Sequence, residues 1–384
     1  MSDYIVWITA IGQFFINPLL YVATLAAIFL GYRRVKQERR QFHTRIRFGW
    51  TELGSLLKES FPYAIVLSIL FVVAGLVVSK ANLIFIMLIS IMACVAQLYR
   101  ALSPAYVLPI AVGVIILCQQ YNVTMPFAIN VDQPISLTAI IIVMALLLMT
   151  EGILLRYYYR HGITPVLHKT KRGMNALDYR LRKVWLLPLF FVIPGQDIAA
   201  WLPYWPQFTL GETTFTLVLF PYIIGVDTAS RRQLPQQYFK QLGKHVLWLG
   251  IITLVSAVLV YYNEWMGYIV IIAAFIWRLL ITVILQLQEK SAGYAVAPSA
   301  KGIVIAAVLP DSPAEKMGLQ IGECIVKVNG QAVHTEDELY EALQINAAYC
   351  RLEVLDIDGE IRYTQHAVFM NDHYRIGILA ARPY

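Results

Sequence analysis

Charge is scarce in this chain. Asp, Glu, Lys and Arg make up 14% of its 384 residues, where a soluble protein carries about 25%. The shortage is concentrated before residue 289, where apolar runs recur at short intervals. With 58% hydrophobic residues and a mean hydropathy of +0.60, that part is excluded from the class of ordinary soluble domains. A bilayer's hydrocarbon core is about 30 Å thick and takes roughly 20 apolar residues as helix.

Several kinds of chemistry are missing as well. None of the seven histidines (43, 161, 168, 245, 334, 366, 373) precedes a Glu, and none lies well inside an apolar run. The H-E-x-x-H helix of a membrane metalloprotease is therefore absent, and a serine nucleophile would find no histidine base within the bundle. No Walker A loop and no G-x-G-x-x-G occurs. The four cysteines, Cys94, Cys118, Cys324 and Cys350, form no C-x-x-C pair and have no histidine at metal-ligand spacing, so they read as ordinary buried thiols. No catalytic residue, metal site or cofactor is expected.

What is present is a series of candidate spans. A first segment lies inside Ile5–Tyr32, followed by Phe61–Ser79, Asn82–Tyr99, Leu102–Cys118 and Ile135–Leu155. A weaker pair, Trp185–Tyr204 and Thr213–Thr228, reads as two crossings or one re-entrant hairpin. Val246–Tyr262 and Trp265–Leu285 complete the set, giving about 7–9 spans in a multi-pass α-helical membrane bundle over residues 1–289. The first segment has no basic stretch ahead of it and no small-residue cleavage site, unlike a cleaved signal peptide.

Basic residues are grouped. Eight Lys/Arg lie between Arg33 and Lys58, eight between Arg156 and Lys183, and four in Arg231–Lys244, while the intervening loops are nearly bare. Assigning the basic loops to the cytoplasm puts the N-terminus outside and the C-terminal tail inside. The net charge of +7 divides into 23 basic against 12 acidic residues before position 290, and 8 against 12 from there on. Membrane orientation accounts for the basic excess, so nucleic acid is not an expected partner; the lipid bilayer is.

Polar groups inside spans mark function by default. Glu151 and Asp227 fall near span ends and are expected at the interface. Asp197 follows the break "IPGQD", and Arg278 lies deeper, placed to pair with Asp197 or Glu151 or to reach towards the cytoplasmic face.

Residues 290–384 form a second domain, small and α+β. "GIVIAAV" from Gly302 is a strand; Ser312, Pro313 and Gly318 are the cap, first position and stop of a one-turn helix. "ECIVKVNG" alternates as a strand and turns at Asn329-Gly330. Thr335 and Glu338 make a capping box for the next helix, and a hairpin turns at Asp358-Gly359. Strand, short helix, strand, longer helix and hairpin, with "SPAEKMGL" and "VNG" at this spacing, resemble a PDZ domain of the kind found in bacterial HtrA and site-2 proteases.

The resemblance implies an extended peptide added beside a strand, its terminal carboxylate held by backbone N–H groups. Two stretches fit such a loop, "GYAVA" at Gly293–Ala297 and "YRIGILAA" at Tyr374–Ala381; the second carries the glycine that Ala295 lacks. The expected groove is Arg375, Ile376, Gly377, Ile378 and Leu379 on one wall and Leu339, Tyr340 and Leu343 on the other. Gly377, near the chain end, is expected to lie outside the folding core. The alternative is that "RIGIL" is simply a last core strand.

Many spans followed by one such domain, with no protease motif, resemble the MinJ family of bacterial cell-division topological determinants. That resemblance implies a non-enzymatic, membrane-tethered adaptor, enriched at the division septum and joining a DivIVA-like scaffold to a MinD-like inhibitor. A transporter or channel with a regulatory PDZ domain, and an accessory or degenerate intramembrane protease, are the competing readings.

Overall fold

The computed structural model describes residues 12, 14–122, 136–169, 175–194, 207–210, 213–290, 293–346, 349–367 and 376–381. Its first helices are α1 (Pro18–Phe42), α2 (Thr51–Lys58), α3 (Phe61–Val73), α4 (Lys80–Val95), α5 (Pro104–Gln120) and α6 (Leu137–Tyr158). A 3-10 turn, Tyr99–Leu102, joins α4 to α5. Local chemistry sets the starts: Asn17 Oδ1 accepts the Leu19 N–H at 3.0 Å ahead of Pro18, and Ser136 caps α6 through the Ala139 N–H.

A four-stranded antiparallel sheet follows: β1 (Ile163–Lys169), β2 (Asn175–Pro194), β3 (Gln207–Leu210) and β4 (Thr213–Ser230), in the order β1-β2-β4-β3. Then come α7 (Pro235–Tyr262) and α8 (Trp265–Lys290). α7 packs against α6, where a Cβ on Gly152 would lie 2.8 Å from the Gly243 carbonyl oxygen and one on Gly243 2.6 Å from that of Gly152. Small residues let the two backbones touch.

One expectation is left unconfirmed here and one is corrected. Among the described residues, five helical segments are long and apolar enough to cross a bilayer, where about 7–9 spans are expected: α1, α2 with α3, α6 with the 3-10 turn after it, α7 and α8. α4 and α5, at 16 and 17 residues, fall short of that length. The weaker pair of candidate spans is not helical among the described residues; Trp185–Pro194 and Thr213–Thr228 belong to β2 and β4, paired without a register shift from Tyr179↔Ser230 to Pro194↔Phe215. A short buried strand and a buried helix have the same hydropathy. Pro188, Pro194 and Pro221 decide between them, since proline inside a helix removes a hydrogen bond and clashes with the preceding turn.

This hairpin is buried along α3, and its outer edge is satisfied by two serine side chains and one backbone amide. Ser60 Oγ donates to the Leu186 carbonyl at 2.5 Å, the Phe190 N–H donates to Ser68 Oγ at 3.0 Å, and the Val78 N–H donates to the Val192 carbonyl at 2.9 Å. Even-numbered residues of β2 thus turn their backbone groups away from β4. Pro188, facing Pro221 in the register, brings no N–H to that edge.

The C-terminal domain contains β5 (Ile303–Val308), α9 (Pro313–Lys316), β6 (Cys324–Val328), β7 (Gln331–Ala332), α10 (Glu336–Gln344), β8 (Tyr349–Leu355), β9 (Ile361–Ala367) and β10 (Ile378–Ala380). Its strands run β10-β5-β6-β8-β9, with β7 on β6. One face of the sheet packs over α9 and α10 around Ile305, Ile325, Val328, Leu352 and Val354. The other docks on the start of β2. There Leu177, Tyr179 and Leu234 meet Val296, Val304, Ala306 and Ala381, and Tyr179 Oη donates to the Ala306 carbonyl at 2.8 Å.

Candidate functional site

The local signals of the C-terminal domain are met. Ser312 caps α9 through the Glu315 N–H, Gly318 has φ +70°, and Asn329-Gly330 turns with both φ positive. Thr335 and Glu338 close their capping box: the Glu338 N–H donates to Thr335 Oγ1 at 3.2 Å, and Glu338 Oε2 accepts from the His334 N–H at 2.6 Å and the Thr335 N–H at 3.3 Å. These amides, His334 first, hold the Glu338 carboxyl below the usual range. Burial pushes the Cys350 thiol up to about 12, in keeping with an inert thiol.

Among the described residues β10 is an edge strand, paired on one side only, with β5. The Leu309 N–H donates to the Gly377 carbonyl at 2.7 Å and the Ala381 N–H to the Val304 carbonyl at 3.0 Å. Those bonds fix the phase of the ladder: Ile378 and Ala380, which fall between bonded positions, turn their own N–H and C=O groups to the open side. Ile378 and Ala380 on the strand and Leu343 on α10 are each half-buried against the domain core. A cleft of about 640 Å³ lies between the end of β10 and the first turn of α10, lined by Gly302, Ile303, Thr335–Asp337, Ala380 and Ala381. Such an arrangement can add an extended chain as a further strand and seat its apolar side chains.

The expected wall residues divide. Ile378 and Leu343 are each half-buried against the domain core. Leu339 is buried in the core, Tyr340 is exposed, and Leu379 packs towards the docking face instead. Ile376 is buried, and its carbonyl accepts the Ala314 N–H at 2.9 Å. Arg375 lies outside the described residues. Gly377 has φ +91°, and a Cβ there would fall 2.2 Å from Ser312 Cβ, so it is pinned to the cap of α9 rather than lying outside the core. "GYAVA" serves the docking face: Val296 is fully buried there, and the Ala295 N–H donates to the Arg231 carbonyl at 2.7 Å.

The polar residues of the spans are placed too. Arg278 Nη2 lies 2.7 Å from Glu151 Oε1, and Ser103 Oγ donates to Glu151 Oε2 at 2.5 Å. Both charges are buried within the protein. Asp227 sits on β4, where Arg180 and Arg182 converge on it. Asp197 lies outside the described residues. Sequence reasoning passed over Tyr179, Ser60 and Ser68, whose roles depend on partners more than a hundred positions away.

A family model described as PDZ domain matches residues 304–355. The C-terminal unit is a PDZ domain. Across its whole length the chain is similar to MinJ: it is 29% identical over 371 residues to the cell division topological determinant MinJ of Bacillus subtilis (strain 168), covering 96% of this chain and 93% of that protein. It is also 24% identical over 385 residues to a probable cell division topological determinant MinJ of Lacticaseibacillus paracasei, covering 95% and 96%. A likeness of the same extent joins it to the corresponding protein of Lacticaseibacillus casei (strain BD-II).

Proposed function

We propose that this chain is a non-enzymatic membrane adaptor that places division-site regulators at septum and poles by gripping an extended peptide on β10. The observation that carries this reading is the open edge of β10, where Ile378 and Ala380 offer backbone donors and acceptors beside a cleft that reaches the first turn of α10. Its partners are a DivIVA-like scaffold and a MinD-like inhibitor, in keeping with the name of the relatives as division topological determinants.

The N-terminus lies outside and the PDZ domain in the cytoplasm, supported by the three clusters of basic residues. Phosphatase fusions after Asn122 or Gln207 are then active, and fusions after His43, Gly173 or Tyr384 inactive. An active C-terminal fusion overturns the orientation. The groove is tested in dividing cells with full-length fluorescent fusions carrying Leu343→Asn, using Ile361→Asn on exposed β9 as control. The first variant is expected to stay in the membrane, lose septal enrichment and lose co-purifying division proteins, while the control keeps both. Unchanged placement of the Leu343 variant sinks the reading.

A further inference from the structure

The strongest concentration of arginines lies away from the PDZ groove. A cavity of about 570 Å³ opens where α1, the turn after α4, the sheet and α8 meet. Among its lining residues are Arg100, Arg180, Arg231 and His168, with Asp178 and Gln286. A small adjoining cavity adds Arg33 and Arg182.

The ion pairing around it is uneven. Asp227 is one carboxylate shared by Arg180 and Arg182, and Asp178 is matched by Arg231. Glu289 Oε2 is occupied by the backbone N–H groups of Arg231 and Arg232 at 2.6 and 2.7 Å. Among the described residues Arg100 bonds only neutral acceptors: the Asp227 carbonyl at 2.8 and 3.1 Å and, with the Gln286 amide turned to face it, the Gln286 oxygen. Arg33 likewise bonds the Gln97 amide oxygen at 2.9 Å. Across the two cavities six guanidinium groups (33, 34, 100, 180, 182, 231) thus face four carboxylates (52, 178, 227, 289), leaving positive charge in excess. Asp178 Oδ1 is buried with no hydrogen-bond donor among the described residues, and its other oxygen is held by Arg231.

The cavity's height matters as much as its charge. Arg33 follows the apolar part of α1, Gln97 follows α4, and Gln286 comes just after Leu285 at the end of α8. Three apolar segments therefore run out at this level, beside exposed Leu98. Basic pockets where membrane helices end meet the phosphates of acidic lipids, and guanidinium groups bind phosphate through paired, charge-assisted hydrogen bonds.

We infer that this cavity binds a phosphate-ester anion, supplied by the headgroup of an acidic phospholipid, with Arg100 and Arg180 on the phosphate.

The full-length protein, reconstituted in nanodiscs of phosphatidylcholine with or without phosphatidylglycerol, tests this. Wild-type protein is expected to unfold at higher temperature with phosphatidylglycerol present and to retain it over phosphatidylcholine by native mass spectrometry. Arg100→Gln is expected to unfold at the wild-type temperature in pure phosphatidylcholine and to need about tenfold more phosphatidylglycerol for the same shift, with Arg100→Lys intermediate. Soluble glycerol 3-phosphate forms a separate arm; a full shift from it without lipid preference overturns the lipid as the source. Should Arg100→Gln fail to fold, the wild-type lipid preference still decides. Equal retention of the two lipids by wild-type protein, or an Arg100→Gln variant that keeps the preference, overturns the site.

Discussion

Arg278 and Glu151 come from helices 127 positions apart in sequence and meet at 2.7 Å with both side chains buried. Ser103 fills the second carboxylate oxygen. Removing one partner strands a charge in a low-dielectric interior, at a cost of about 3–5 kcal/mol, whereas replacing both with apolar groups is far milder. Arg278→Met alone is therefore expected to lower the thermal stability of the purified full-length protein strongly, and Arg278→Met with Glu151→Leu to recover most of it. Additive losses in the double variant would show that the two groups do not act as a pair.

The edge of β2 makes a prediction of opposite sign to the one a helix would make. Pro188→Ala would relieve a helix by about 3 kcal/mol. On this edge it adds an N–H facing away from β4, with a cost of about 1–3 kcal/mol if it stays unpaired. Ser68→Ala is expected to cost a similar amount by orphaning the Phe190 N–H. Thermal unfolding of both variants checks this, and a stabilised Pro188→Ala would refute the strand.

Gly377→Ala is expected to destabilise the PDZ domain by about 1 kcal/mol or more, since φ is +91° and the new Cβ runs into Ser312. Hydrogen exchange at α9 in the full chain reads it. Protection equal to wild type would mean the loop is free of the cap.

The Glu338 carboxyl has its pKa lowered by folding, so the stability it lends is present above its unfolded value and is lost as pH falls through the folded one. Glu338→Gln is expected to flatten the acid limb of the PDZ domain's unfolding profile in that window while leaving the neutral-pH fold intact. An unchanged acid limb counts against the capping box as the proton-linked element.

Much of this was legible in the residues, and unevenly so. The PDZ elements could be read because their signals are local: Ser312 three positions before Glu315, Thr335 three before Glu338, Asn329 beside Gly330. The β2–β4 hairpin could not be told from two spans by hydropathy, because both demand unbroken apolar runs; only the prolines hinted at it. The pairing of Arg278 with Glu151 was one option among several, and choosing it needed the packing of α6 against α8. The contact of Gly377 with Ser312 spans too much sequence for any local pattern to carry.

Tyr179 on β2 donates to Ala306 on β5, and Val296, a few residues beyond the end of α8, is buried in the same seam. Tyr179→Phe is expected to leave the membrane part and the PDZ core folded while raising hydrogen exchange across the seam; unchanged exchange would show that the apolar contacts hold it alone.

A recognition module on a loose leash sweeps a volume and meets its targets in any attitude. This one is held at a set height and heading, so its effective concentration for a target is large where the target can arrive at that angle and negligible where it cannot. Affinity for a free peptide then says little about capture at the membrane. What counts is the length of stalk between a partner's motif and its folded body, and from which side that stalk comes in.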